Sequence, residues 1–286
     1  MSSFNEIMTY YPGNRVTYNC LLKRIKEQSI IPFIGAGLSA CYYPSWEELL
    51  SGLLLVVPDS CARKAKDQIN SHDYFSAADT LCDEIGELLF YECFRDTFDE
   101  SKIKEDTIKK YAVSLLPKFH FKTYITTNYD RVLEKAFTCN HIQFEIGFPY
   151  DTYRLASYMR NTMANPMILK IHGDILSDKK DLILTGKSYK AHYSDGACLK
   201  EQLSKWAESK NLLFLGASLY KDETVSVIAE RMQEGMINYA IMGVDSSDFN
   251  NVKDRLSNVN ALPIFYNGSD HGDLMIILQQ LLDDLK

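Results

Sequence analysis

Residues 29–40, S-I-I-P-F-I-G-A-G-L-S-A, constrain this chain more than any other stretch. An apolar run rich in β-branched residues breaks abruptly into a glycine turn, the pattern of a strand followed by a phosphate loop. Gly35, Gly37 and Ala40 satisfy the G-x-G-x-x-G/A spacing. Glycines so placed permit a tight turn and let the backbone approach a pyrophosphate at a helix N-terminus. The spacing alone also fits any buried strand that must reverse. Three later stretches, residues 126–130, 170–174 and 212–218, weigh toward a site.

The remaining patterns read as an α/β, Rossmann-like fold: a mostly parallel sheet flanked by helices. Residues 1–20 contain Tyr10, Tyr11, Pro12 and Gly13 and show no clean period, so an irregular lead-in is expected, with a short amphipathic helix over 21–28. Ser45 and Glu48 form a capping box, and Trp46, Leu49, Leu50, Leu53, Leu54 and Val57 continue one helical face, with Trp46 assigned to the core. That period runs through the place where a simple dinucleotide fold has its second strand. Asp59 is therefore read as helix-terminal and not as the acid that holds a ribose hydroxyl. Helical patterning continues to Pro117, which makes residues 45–118 a helical sub-domain inserted after the first strand of a single domain, 1–286. Strands are expected at 123–127, 144–146, 167–171, 212–215, 239–244 and 262–265, with a further short segment at 182–184. Helices are expected at 129–137, 198–209, 223–233 (opened by Asp222) and 275–285.

Composition excludes several classes. A formal net charge of −7 argues against nucleic-acid binding, which needs clustered Lys and Arg. The densest basic run, 102–110, is interleaved with Glu105 and Asp106 and reads as a solvated helix face. The seven cysteines never form a C-x₂₋₄-C pair, so no zinc or other metal is expected. An odd count without a secretory leader fits reduced thiols in a cytoplasmic protein. No run approaches the roughly 18 apolar residues of a membrane span, so a soluble protein is expected. His72, His120, His141, His192 and His271 are scattered, the last with Asp270 marking a turn.

Four motifs then stand in a telling order: Gly35-Ala36-Gly37-Leu38-Ser39, Thr126-Thr127-Asn128-Tyr129-Asp130, Lys170-Ile171-His172-Gly173-Asp174 and Leu215-Gly216-Ala217-Ser218. In these the chain resembles the sirtuin superfamily, with its cofactor loop, T-x-N-x-D stretch, histidine–glycine motif and late glycine–serine turn. The likeness is closer to the SIR2-like branch of bacterial NAD-consuming defence proteins. Zinc-bearing sirtuin deacylases carry a four-cysteine ribbon, a glutamine where Thr127 stands, and a Phe-Arg pair where residues 42–46 read Y-Y-P-S-W. Peptide deacylation is accordingly in doubt.

The resemblance implies NAD+ as substrate and cleavage of its nicotinamide–ribose bond, giving nicotinamide and ADP-ribose or a cyclic form, in defence against phage by NAD depletion. It assigns Asn128 to orient the ribose or the attacking water and His172 to act as general base. Gly35, Ala36, Gly37 and Ser39 would hold the pyrophosphate with Thr127 beside them, Asp130 would fix the loop or the nicotinamide carboxamide, and Gly216 and Ser218 would line the adenosine side. Read without the resemblance, Asn128 could cap the helix that follows, and His172 could be a turn histidine. A deacylase or ADP-ribosyltransferase, and a non-catalytic module that senses NAD or ADP-ribose, remain the alternatives. An enzyme that depletes NAD needs restraint, so a homo-oligomer, a regulatory subunit or a sensor domain is expected as a partner.

Overall fold

The computed structural model describes residues 2–160, 163–219, 223–231, 236–268 and 272–286. Seven strands form one parallel sheet: β1 (Ile30–Ile34), β2 (Thr123–Thr126), β3 (Glu145–Gly147), β4 (Met167–Lys170), β5 (Asn211–Leu215), β6 (Asn238–Gly243) and β7 (Ala261–Tyr266). Their order is β3-β4-β2-β1-β5-β6-β7, and each neighbouring pair is parallel. Every residue of β1, β2, β4 and β5 is buried, which explains apolar runs with no polar alternation.

Successive side chains enter opposite cores, as a period of two requires. Ile30, Ile34, Leu213 and Leu215 face the helices Asn14–Lys26, Val132–Cys139 and Gly272–Asp284 together with the helical insertion. Ile31, Phe33, Leu212 and Phe214 face Gly186–Tyr193, Cys198–Ser209, Glu223–Arg231 and Phe249–Asn258. The insertion leaves β1 and returns at β2 through Trp46–Leu53, Asp59–Asn70, Tyr74–Ile85, Glu87–Thr97 and shorter turns that end in Ala112–Phe119. Ser45 opens it with both capping-box bonds: Glu48 N–H donates to Ser45 Oγ at 3.1 Å, and Ser45 N–H donates to Glu48 Oε2 at 2.7 Å.

Three expectations are corrected. The lead-in is helical, Phe4–Tyr10 followed by Asn14–Lys26. Its buried face carries Asn14, Thr17 and Tyr18 ahead of Leu21 and Ile25, so polar residues mask the helical period. Asn14 belongs inside because it donates to Ile7 O and Phe265 O and accepts from Phe265 N–H, stitching the lead-in to β7. Residues 182–184 are buried but lie between the turn Lys179–Asp181 and the helix Gly186–Tyr193, outside the sheet. The helix expected over 129–137 is Val132–Cys139. Asp222, Asp270 and His271 lie outside the described residues.

Among the described residues no helix is long and apolar enough to cross a membrane, and no group of three or more His, Cys, Asp or Glu is arranged to hold a metal. All seven cysteines are free thiols.

Candidate active site

Strand β1 has β2 on one side and β5 on the other, so the connections after β1 and β5 leave in opposite directions. In open parallel sheets that reversal opens a crevice at the carboxyl ends of the strands. A cleft of about 500 Å³ lies there, lined by the loops after β1 and β5, by Thr127 after β2, by Gly243 at the end of β6 and by Gly268 beyond β7. Its size falls within the range of roughly 300–1,000 Å³ usual for small-molecule sites.

The two glycine loops interlock. Gly35 N–H donates to Leu215 O and Gly37 N–H to Gly216 O, each at 2.9 Å. A Cβ on Gly35 would sit 2.6 Å from Ala217 Cα, and one on Gly37 would sit 2.9 Å from Gly216 Cα. Gly216 has a φ of +66°, and a Cβ there would lie 2.6 Å from Leu38 N. All three glycines are thus demanded by backbone crossing backbone. Leu38 and Ser39 N–H donate to Gly35 O and Ala36 O, so Ala36, at the head of the turn, is the loop residue whose N–H these bonds do not use.

Asn128 is buried behind this loop. Its Nδ2 donates to Gly35 O and to Ser39 Oγ, both at 3.2 Å, while its Oδ1 is buried with no hydrogen-bond partner. The capping alternative fails: the helix starts four residues later, and Asp130 Oδ1 accepts the Val132 N–H at its start. Ser39 Oγ also donates to Asp130 Oδ1 at 3.0 Å. Ser39 and Asp130 therefore sit behind the cleft and brace Asn128, whereas Gly35, Ala36, Gly37, Thr127, Gly216 and Ser218 line it. Burial raises the Asp130 carboxyl above its ordinary range.

Underneath lies a charge cluster that joins both ends of the Lys170–Asp174 motif to Glu134, a residue with no sequence signal. Lys170 is fully buried, and its Nζ reaches Asp174 Oδ2 at 2.6 Å, Glu134 Oε1 at 2.9 Å and the carbonyl oxygen of Asp130 at 2.6 Å. Burial pulls the ammonium down, but the surrounding carboxylates of Glu134, Asp174 and Asp130 outweigh it and hold Lys170 above its usual value. The cluster ties β4 to the loop that carries Asn128.

His172 follows β4 and is likewise buried, at 6% exposure. Its Nε2 is 2.9 Å from Tyr193 Oη and 3.5 Å from Thr224 Oγ1, and Tyr193 Oη is 2.6 Å from the same Thr224 hydroxyl. Burial lowers its pKa to about 3, so the ring is neutral near pH 7. Thr224 also lines the cleft, and it is the group through which His172 meets it. Tyr193 and Thr224 escaped sequence reasoning because a lone Tyr or Thr in a helical pattern carries no site signal. Trp46, expected in the core, packs against it, with Phe94 and Tyr129 as ring neighbours, and as a half-buried residue also lines the cleft.

A parallel sheet flanked by helices whose glycine loops meet at its switch point places the chain in the Rossmann-like class of folds. The family model described as SIR2-like domain matches residues 122–264, half of the chain, and the chain belongs to that family. It is similar to the NAD(+) hydrolase ThsA of Acinetobacter baumannii (strain 532279), 26% identical over 249 residues that cover 84% of this chain and 48% of that protein. The protein of the same name from Enterococcus faecium is 27% identical over 249 residues, covering 80% and 48%. The chain spans about half the length of the curated relatives it matches. A solved Sir2 enzyme chain aligns over 94% of this chain and 97% of its own length, with a TM-score of 0.41 and 11% identity.

Proposed function

We propose that the chain is an NAD+ glycohydrolase that uses water and needs no acyl-lysine acceptor. Water adds to the ribose C1′, the bond to the nicotinamide nitrogen breaks with its electron pair going to the pyridine ring, and one proton is released with ADP-ribose. The departing group is a cationic pyridinium, so positioning of the ribose and of the water is the main requirement.

Asn128 is the observation that carries the reading. Its amide nitrogen is tied to the cofactor loop, so its orientation is set before any ligand arrives, and its buried oxygen has no partner among the described residues. An unpaired buried acceptor costs roughly 1–3 kcal/mol. A ribose hydroxyl or a water beside Gly35 would supply the missing donor. Gly35, Ala36, Gly37, Thr127, Gly216 and Ser218 are the proposed cofactor contacts, with Ser39 and Asp130 holding the loop and Asn128 in register. His172 is the proposed base, unprotonated and linked to the cleft by the Thr224 and Tyr193 hydroxyls. With a pKa of about 3 it can pass a proton onward but not store one at neutral pH.

The names of the relatives support NAD+ as the substrate, and the resemblance in the four motifs supports a role in defence by NAD depletion, in the cytoplasm, under control of oligomerisation or a partner. The test is NAD+ alone with the purified chain, followed by mass spectrometry. Nicotinamide and ADP-ribose without any acceptor support hydrolysis; release that requires an acylated peptide overturns it in favour of a deacylase.

A further inference from the structure

The cleft at the carboxyl ends is poor in charge. Among the described residues that line it, Glu47 is the only Asp, Glu, Lys or Arg. An anionic pyrophosphate in this cleft therefore leans on backbone N–H groups of the glycine loops and meets no lysine or arginine among them. A lone carboxylate repels that part of the ligand. Its place along the cleft decides what it can attract.

Ring contacts fix that place. Trp46 and Glu47 open the helix Trp46–Leu53, and both line the cleft. The Trp46 ring lies 6.1 Å from that of Tyr129, the neighbour of Asn128, and the Tyr129 ring lies 6.4 Å from that of His172. From the other wall, Tyr74 Oη donates to Glu47 Oε2 at 2.9 Å and is itself 2.9 Å from His72 Nδ1. The next residue, Phe75, stacks at 3.9 Å on Tyr189, whose ring is 5.7 Å from that of His172. Glu47 and Trp46 thus belong to the Asn128–His172 end, whereas Gly243, Tyr266 and Gly268 line the end at β6 and β7. A carboxylate held by a phenol, with an indole beside it, is a pairing that favours a flat cation.

We propose that Glu47 and Trp46 read the charge of the nicotinamide ring, selecting the oxidised pyridinium over the uncharged dihydropyridine of the reduced dinucleotide. This deepens the NAD+ reading and rests on it for the identity of the ligand. The same pair discriminates against ADP-ribose, which has no ring to offer. Once the glycosidic bond breaks, the departing nicotinamide is neutral and the carboxylate no longer holds it.

The test is calorimetric binding to the full chain of three probes: carba-NAD+, in which a cyclopentane replaces the nicotinamide ribose so that water does not cleave it, its reduced form, and ADP-ribose. The wild type is expected to bind carba-NAD+ about tenfold more tightly than the reduced form, an exposed ion pair and a cation–π contact together. Glu47→Gln, at an exposed position and still able to accept from Tyr74, narrows that ratio about threefold, and Trp46→Leu does the same. Glu47→Lys narrows it further and tightens ADP-ribose, which no loss of packing would do. A wild-type ratio near one, a ratio unmoved by Glu47→Gln and Glu47→Lys, or an equal weakening of ADP-ribose by Glu47→Gln would overturn the proposal. Nicotinamide release from NAD+ is measured on the same wild-type protein. No release with the ratio present defeats the hydrolase reading alone, and release with the ratio absent defeats this inference alone.

Discussion

Asn128 and His172 are both buried beside the cleft, and their environments give them opposite kinds of readiness. Asn128 is held by two bonds and keeps one free acceptor. Replacing Ser39 by Ala removes the hydroxyl that both accepts from Asn128 and donates to Asp130. The expected outcome is a drop in nicotinamide release of about tenfold or more, carried by kcat, for a stability cost near that of one buried hydrogen bond, about 1 kcal/mol; steady-state kinetics beside urea melts separate the two effects. For His172 the expected signature is thermodynamic. Its folded pKa, about 3, lies below the ordinary imidazole value, so the unfolded chain takes up a proton that the folded one refuses. The stability it contributes is complete above about pH 6.5 and drains away as pH falls toward 3. Thermal melts of His172→Gln should show a shallower loss over that window than the wild type, and parallel curves would contradict the burial argument.

At the scale of elements, the crossing of the β1 and β5 loops is a joint of backbone against backbone. Gly216→Ala must hold a left-handed backbone with a Cβ inside contact distance of Leu38 N. The backbone strain alone costs about 1–3 kcal/mol, and displacing the loop should also spoil the cleft, so urea melts and NAD+ hydrolysis are both expected to fall. Gly86, also at positive φ but with nothing near a Cβ, serves as the comparison: Gly86→Ala should lose stability through strain and leave hydrolysis unchanged. The Lys170 cluster is the other joint. Lys170→Met leaves Glu134 buried without its paired cation and Asp174 with only Arg131, 3.8 Å away, and an unfolding loss of about 3–5 kcal/mol is expected. A cost below about 1 kcal/mol would mean that the cluster holds nothing together.

For the molecule as a whole, what could be read in advance follows a physical rule. Buried parallel strands are continuous apolar runs, so β1, β4 and β5 stood out, and Ser45 with Glu48 announced the insertion because capping is local. The N-terminal helices were hidden because Asn14 and Thr17 occupy their buried face, and although Ser3 and Glu6 do form a capping box, the tyrosines, proline and glycine that follow masked it. The cleft-lining glycines were legible through spacing. Ser39, Asp130 and Lys170 stood in the motifs, but their partners did not follow from them, since the Ser39–Asp130 and Lys170–Glu134 pairs are 91 and 36 residues apart and their pairing is written only in the packing. Trp46 shows the same limit, because a helical stripe that rightly sends its first residue toward the core does not say that the same residue also borders the cleft.

The central claim is that a pre-oriented amide beside the glycine loop does chemistry on NAD+. The most direct measurement is nicotinamide release from NAD+ alone, by the wild type and by Asn128→Ala, with circular dichroism to establish that both are folded. The account predicts release by the wild type and a loss of about 10²-fold or more in the variant, the scale of removing one positioning group from a reacting centre. Equal release by a folded Asn128→Ala protein, or no release by the wild type, would contradict it.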